Sequence, residues 1–161
     1  MGLLKPYIDR LEKASNELDR IAIEAVRDNE KFILDLLKDE QLGKGLDSFG
    51  KDIVHPSKRS GGRIPLYEPS TQDYWAKKSP LPRTKKVAGK RYNMDWTGNF
   101  KDSMKIKAEK GGFDVVASTK RALEAIYGTK LTALTKENVE IINDKYVSPA
   151  LYKHFFESAF N

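Results

Sequence analysis

The sequence predicts an α+β fold, and three observations carry that prediction. A long helical apolar stripe opens the chain, one alternating hairpin surrounds a Gly-Gly turn, and two further helical patterns follow it. At 161 residues and 39% hydrophobic content, one domain can bury a core without disulfide or metal staples. Residues 1–161 therefore read as a single domain: a long helix over 1–42, a basic proline-rich arm or loop over 43–94, a small antiparallel sheet centred on a hairpin over 95–119, and C-terminal helices over 120–161.

The first element rests on Leu4, Ile8, Leu11, Leu18, Ala22, Ala25, Phe32 and Leu36, which recur in steps of three and four, with Ser15 and Asn29 on the same stripe. Pro6 suits a first helical turn, and Gly43 and Gly45 supply stops. At ~1.5 Å per residue a helix over 3–37 reaches ~50 Å. Such a helix either runs past its own core to touch a neighbour or lies across one sheet with a frayed start. Lys5, Asp9 and Arg10 interrupt its apolar run, so neither a secretory signal nor a membrane span is expected, and the chain reads as a soluble protein made in a cytoplasm.

The arm carries the charge. Net charge is −3 over residues 1–50, +8 over 51–94 and +1 over 95–161. Pro56, Pro65, Pro69, Pro80 and Pro82 break any sustained period, while Ile64, Leu66, Tyr67, Tyr74, Trp75, Val87 and Tyr92 are spaced as anchors, which predicts an irregular segment lying down on a surface. Lys58, Arg59, Arg63, Lys77, Lys78, Arg83, Lys85, Lys86, Lys90 and Arg91, interleaved with Tyr74 and Trp75, form a candidate contact set. Cations among stacking rings suit a nucleic-acid strand and equally suit an acidic neighbouring subunit; without a reader motif the protein contact is the preferred reading, ahead of direct DNA binding and of a merely solvated loop.

In the hairpin, Phe100, Met104, Ile106 and Ala108 share one parity, and Lys101, Ser103, Lys105, Lys107 and Glu109 take the other, as in a half-buried strand. Lys110-Gly111-Gly112 can turn the chain, and Phe113, Val115 and Ala117 begin a return strand. Two strands alone are marginal, so further strands, some from the arm, or helices must cover them. Residues 120–127 then form a short helix closed by Gly128. Thr135 caps a helix reaching about Tyr146 with Val139 and Ile142 inward, and Ser148-Pro149 restarts or kinks it into a docked tail carrying Leu151, Tyr152, Phe155, Phe156 and Phe160.

Little in the chain is arranged for chemistry. There is no cysteine, and His55 and His154 lack carboxylates at metal-ligand spacing, so both read as structural or incidental. Gly61-Gly62 and Gly111-Gly112 sit where turns are needed, outside any strand-to-helix phosphate loop. Asp35, Asp39 and Glu40 read as a solvated helix end. The expectation is a protein without catalytic residues, cofactor or metal.

The hairpin also carries a resemblance. "TGNFKDSMKI" with Thr97, Gly98, Phe100, Ser103, Met104 and Ile106, the turn at Gly111 and Gly112, "FDVVAST", and the Tyr127-Gly128 corner of "LEAIYG" resemble the motif series of phage virion-morphogenesis proteins, the tail-completion or neck proteins of tailed phages. "LTALTKEN" and the upstream "QLGKGLDSFGKDI" are similar to the variant of crAss-like and related gut phages, and the likeness spans roughly residues 41–140. The resemblance implies a head-tail connector subunit in the virion neck. It further implies sixfold or twelvefold homo-oligomeric rings, portal, connector and tail proteins as partners, and no membrane. DNA in the channel could meet some of the basic residues. A DNA-binding accessory protein using the 51–94 arm is the alternative reading.

Overall fold

A computed structural model of the chain describes residues 5–57, 59–78, 88–92, 94, 99–128 and 130–160, the side chains of 74–78, 159 and 160 excepted. It is a mixed helix and sheet fold with a long N-terminal helix, two small antiparallel two-stranded sheets and C-terminal helices. The order is α1 (Lys5–Asp28), α2 (Glu30–Asp35), a π-helical turn (Leu36–Gln41), β1 (His55–Pro56), β2 (Arg63–Ile64), α3 (Pro69–Lys78), α4 (Asn99–Asp102), β3 (Lys105–Glu109), β4 (Gly112–Val116), α5 (Lys120–Tyr127), α6 (Lys136–Ile142), a second π-helical turn (Asn143–Val147) and α7 (Ser148–Phe160).

The opening helix is not one uniform rod. Asn29 leaves helical geometry at φ −111° and ψ 19°, and its Nδ2 donates to Ala25 O at 2.8 Å, a side-chain intrusion of the kind that breaks a helical ladder. Beyond it the buried face carries Ile33, Leu34 and Leu37 in place of the expected Phe32 and Leu36. A strict heptad spacing drifts around a helix of 3.6 residues per turn, and the break at Asn29 adds to the rotation. Ile8 and Leu11, on the expected stripe, are exposed.

The hairpin pairs Lys105 with Val116 through to Glu109 with Gly112, and Gly111 turns it at φ 87°. Ala108 and Val115 are buried while Lys105, Lys107 and Glu109 are exposed, as the alternation requires. The strand begins later than its parity suggests: Asn99–Asp102 form a helical turn closed by Ser103 N donating to Asn99 O at 3.0 Å. Phe100 and Met104 are four residues apart, a spacing that fits both a strand and a helix, and both are buried. Lys101, expected outside, is buried within that turn.

Two core clusters meet at the hairpin. One joins Leu34, Leu37, Leu42 and Ile53 to Tyr67, Tyr92, Phe100, Met104, Val115, Tyr127 and Leu131. The other joins Val26, Ile33, Ala108 and Ile142. Ile142 points inward as expected, but Val139 is exposed. Thr135 caps α6 by accepting from Asn138 N at 3.3 Å. Just ahead of Pro149 the helix widens into its second π turn, which loosens the segment where a proline would otherwise collide with the carbonyl four residues earlier.

Candidate assembly surfaces

The arm is more ordered than its composition suggests. Residues 69–78 are helical, with Pro69 in the first turn, where its missing N–H costs nothing. Their apolar residues form no strong stripe, which is why the sequence pattern missed the helix. β1 and β2 pair with each other, His55 with Ile64 and Pro56 with Arg63, and do not extend the hairpin. Ser57 Oγ donates to Glu68 Oε1 at 2.6 Å and ties the exit of β1 to the residue ahead of α3.

Aromatic rings fasten this segment to the core. The Tyr92 ring packs at a tilt against His55 and Tyr67, both at 4.3 Å between centroids, and reaches Tyr127 at 5.4 Å. Burial and a hydrogen bond to Tyr127 push the Tyr92 phenol well above its usual range, and burial also raises Tyr127. Gly45 lets the chain pass beneath: it adopts φ 79°, and a Cβ there would lie 2.7 Å from Tyr92 O. His55 has Pro56 O at 3.0 Å and Leu66 O at 3.2 Å from its two ring nitrogens, a structural placement.

Two of the candidate cations are engaged internally. Arg63 Nη2 donates to Ile126 O at 2.7 Å and to Val54 O at 3.4 Å, closing the C-terminal end of α5 above Gly128, which sits at φ 68°. Arg91 pairs with Asp52 at 3.2 Å. Arg59 and Lys90 are exposed. Lys58, Arg83, Lys85 and Lys86 lie outside the described residues, as do Thr97 and Gly98, and the side chains of Tyr74, Trp75, Lys77 and Lys78 are outside them too. The structure thus brings Arg63, Tyr127 and Gly128 together but gathers no basic cluster among the described residues.

The hairpin motif residues are structural fasteners. Ser103 Oγ donates to Phe100 O at 2.8 Å and accepts from Ser118 N at 2.9 Å, pinning the start of β3 to the exit of β4. Glu30 reaches across from α2 to accept from Ile106 N at 2.8 Å. Gln41, which no local pattern singles out, is buried at the end of the π turn. It donates to Ala133 O at 2.9 Å and accepts from Thr135 N at 2.9 Å and Asn138 Nδ2 at 3.3 Å.

An exposed apolar feature lies on the paired helices α1 and α7. α7 runs back along α1, with His154 Nε2 3.2 Å from Glu17 Oε2, though short of hydrogen-bond geometry, and Ala14 fully buried. Leu18 shares a shallow groove of about 340 Å³ with Leu151, Tyr152, Phe155 and Phe156. Tyr152 is 67% and Phe156 55% exposed, and their rings stack at 6.4 Å. Tyr7, Ile8 and Leu11 are exposed toward the start of α1. The tail is docked, yet it keeps an aromatic face outward.

Among the described residues no group of three or more histidines and carboxylates could hold a metal ion, and no helix is long and apolar enough to cross a membrane. No family model, curated protein or solved structure matches the chain.

Proposed function

We propose that this chain is a virion structural protein without enzymatic activity, a ring-forming neck or tail-completion subunit that joins the portal to the tail of a tailed phage. The observation that carries the proposal is the exposed apolar surface on α1 and α7, with Tyr152 and Phe156 outward beyond both core clusters. Exposed aromatic groups of this kind mark surfaces that another protein covers. The sequence series from Thr97 to Gly128, which resembles the virion-morphogenesis motif, gives that surface its context. A subunit made in the host cytoplasm would bury it when it enters the virion.

The DNA-binding alternative is weakened by the arm's own bonding. Arg63 and Arg91, though exposed, are bonded to Ile126 O and Asp52, which leaves Arg59 and Lys90 as the exposed cations of the candidate set without a side-chain bond among the described residues. Native mass spectrometry and electron microscopy at assembly concentrations, with and without a portal ring, test the proposal. Closed rings or portal-bound rings are expected, and monomers under every condition would overturn it.

A further inference from the structure

Resting on that assembly reading, we propose that the leading turns of α1 in one copy of the chain dock into the groove between α1 and α7 of the next copy, so that unlike patches meet head to tail. Burial marks out the guest. Every residue from Lys5 to Lys13 is exposed, and burial along α1 begins only at Ala14. Tyr7 is 58%, Ile8 51% and Leu11 41% exposed, and their spacing places them on one stripe of the helix. Lys5, Asp9, Arg10, Glu12 and Lys13 fall on the opposite side of those turns. A helix end with one apolar stripe, largely uncovered by its own chain, is the form that groove binding uses, with anchors at i, i+3 and i+4.

The groove is a matching host. Leu18, Ser148, Leu151, Tyr152, Phe155 and Phe156 line it, none of them charged, around a volume of about 340 Å³. Its lining therefore suits an apolar guest and offers nothing to an ionic one. At ~1.5 Å per residue the guest, residues 5–13, rises ~13 Å, and the host stretch of α7, residues 148–156, rises the same distance.

Area argues against pairing like patches. Groove on groove would leave Tyr7, Ile8 and Leu11 in water, and helix end on helix end would leave Tyr152 and Phe156 there. Unlike patches cover both. At these exposures, with ~200 Å² for an aromatic side chain, one such contact removes about 500 Å² of apolar surface, and the usual polar share of an interface brings it to about 900 Å². A specific contact needs about 1,000 Å², and the half-buried Leu18, Leu151 and Phe155 add toward it. In a head-to-tail ring each chain makes the contact twice, once as guest and once as host.

Complementation between two full-length variants, read by sedimentation velocity with folding checked by circular dichroism, tests the proposal. Ile8→Gln with Leu11→Gln spoils the guest, and Tyr152→Ser with Phe156→Ser spoils the host. Each variant alone should associate about tenfold or more weakly than the unaltered chain. Mixed in equal amounts, the two should form pairs that grow no further, because each supplies the half that the other lacks. A mixture as weakly associated as its components would overturn the docking. The chain has no cysteine, so mild oxidation of mixed Leu11→Cys and Tyr152→Cys chains should join one variant to the other, whereas links mainly within either variant would overturn it. Rings of the unaltered chain with failed complementation would overturn the docking and leave the ring reading intact. Complementation and mixed links in a chain that stops at dimers would sustain the docking and overturn the ring.

Discussion

At Gln41 one buried side chain satisfies three partners along residues 133–138, and nothing in its neighbourhood of sequence announces this. It follows Asp39 and Glu40, both exposed, and the pattern there reads as a solvated helix end. The π turn supplies the missing rotation: an extra residue in the turn carries Gln41 inward, where its amide meets Ala133 O, Thr135 N and Asn138 Nδ2. Gln41→Leu keeps the approximate size and removes all three bonds, leaving two part-buried backbone groups and the buried Asn138 amide without that partner. At about 1–3 kcal/mol per unsatisfied group, partly relieved by water, the expected loss is about 3 kcal/mol. Urea denaturation monitored by circular dichroism measures it, and a loss below ~1 kcal/mol would show that the junction is not the anchor of α6. Single-residue roles of this kind depend on register, which local composition does not encode. Thr135 is the contrasting case: a cap followed by a helical pattern is a local signal, and the structure carries the bond.

At the scale of elements, signals contained within a few residues were legible and those shared with another element were not. The alternation of 105–109 and 112–116, the Gly111 turn and the Gly128 stop all follow from local periodicity and backbone freedom. The ambiguous spacing of Phe100 and Met104 was resolved only by the helical turn before β3. The break at Asn29 required its amide to find Ala25 O, and α3 lacked the stripe that betrays a helix. The arm illustrates the same division, since the sequence marked Tyr67 and Tyr92 as anchors without saying that Tyr92 packs against His55, Tyr67 and Tyr127. That cluster makes the docking of the arm sensitive to alkali. A raised phenol pKa means that folding favours the neutral form, so its stabilisation is complete below the unfolded tyrosine value of 10.0 and is lost as pH rises above it. Unfolding free energy should therefore fall with pH above about 10, with Tyr92 contributing up to one proton, or about 1.4 kcal/mol per pH unit. Tyr92→Phe keeps the ring and should flatten that slope in urea titrations at successive pH values. An unchanged slope would assign the alkaline sensitivity to other groups.

For the whole molecule, the class of fold and the surplus of helix were legible from the pattern, because an apolar stripe longer than one sheet can cover implies a second customer for its buried face. Which part of the stripe stays exposed was not legible, since that depends on where α7 comes to lie against α1. The pairing buries Ala14 and partly covers Leu18, while Tyr152 and Phe156 remain turned to solvent. If this aromatic face is where subunits meet, its residues matter for association and little for the folding of one chain. Tyr152→Ser combined with Phe156→Ser should then leave monomer stability within about 1 kcal/mol, as exposed substitutions usually do. Loss of two aromatic anchors at roughly 2 kcal/mol each corresponds to a weakening of association by about 10³-fold. Sedimentation velocity across a concentration series reads the association, and thermal unfolding at the lowest concentration reads the monomer. A fall in both would make the aromatic face part of the core of the helical pair, whereas unchanged association would move the subunit contact away from it, toward the hairpin edge or the arm.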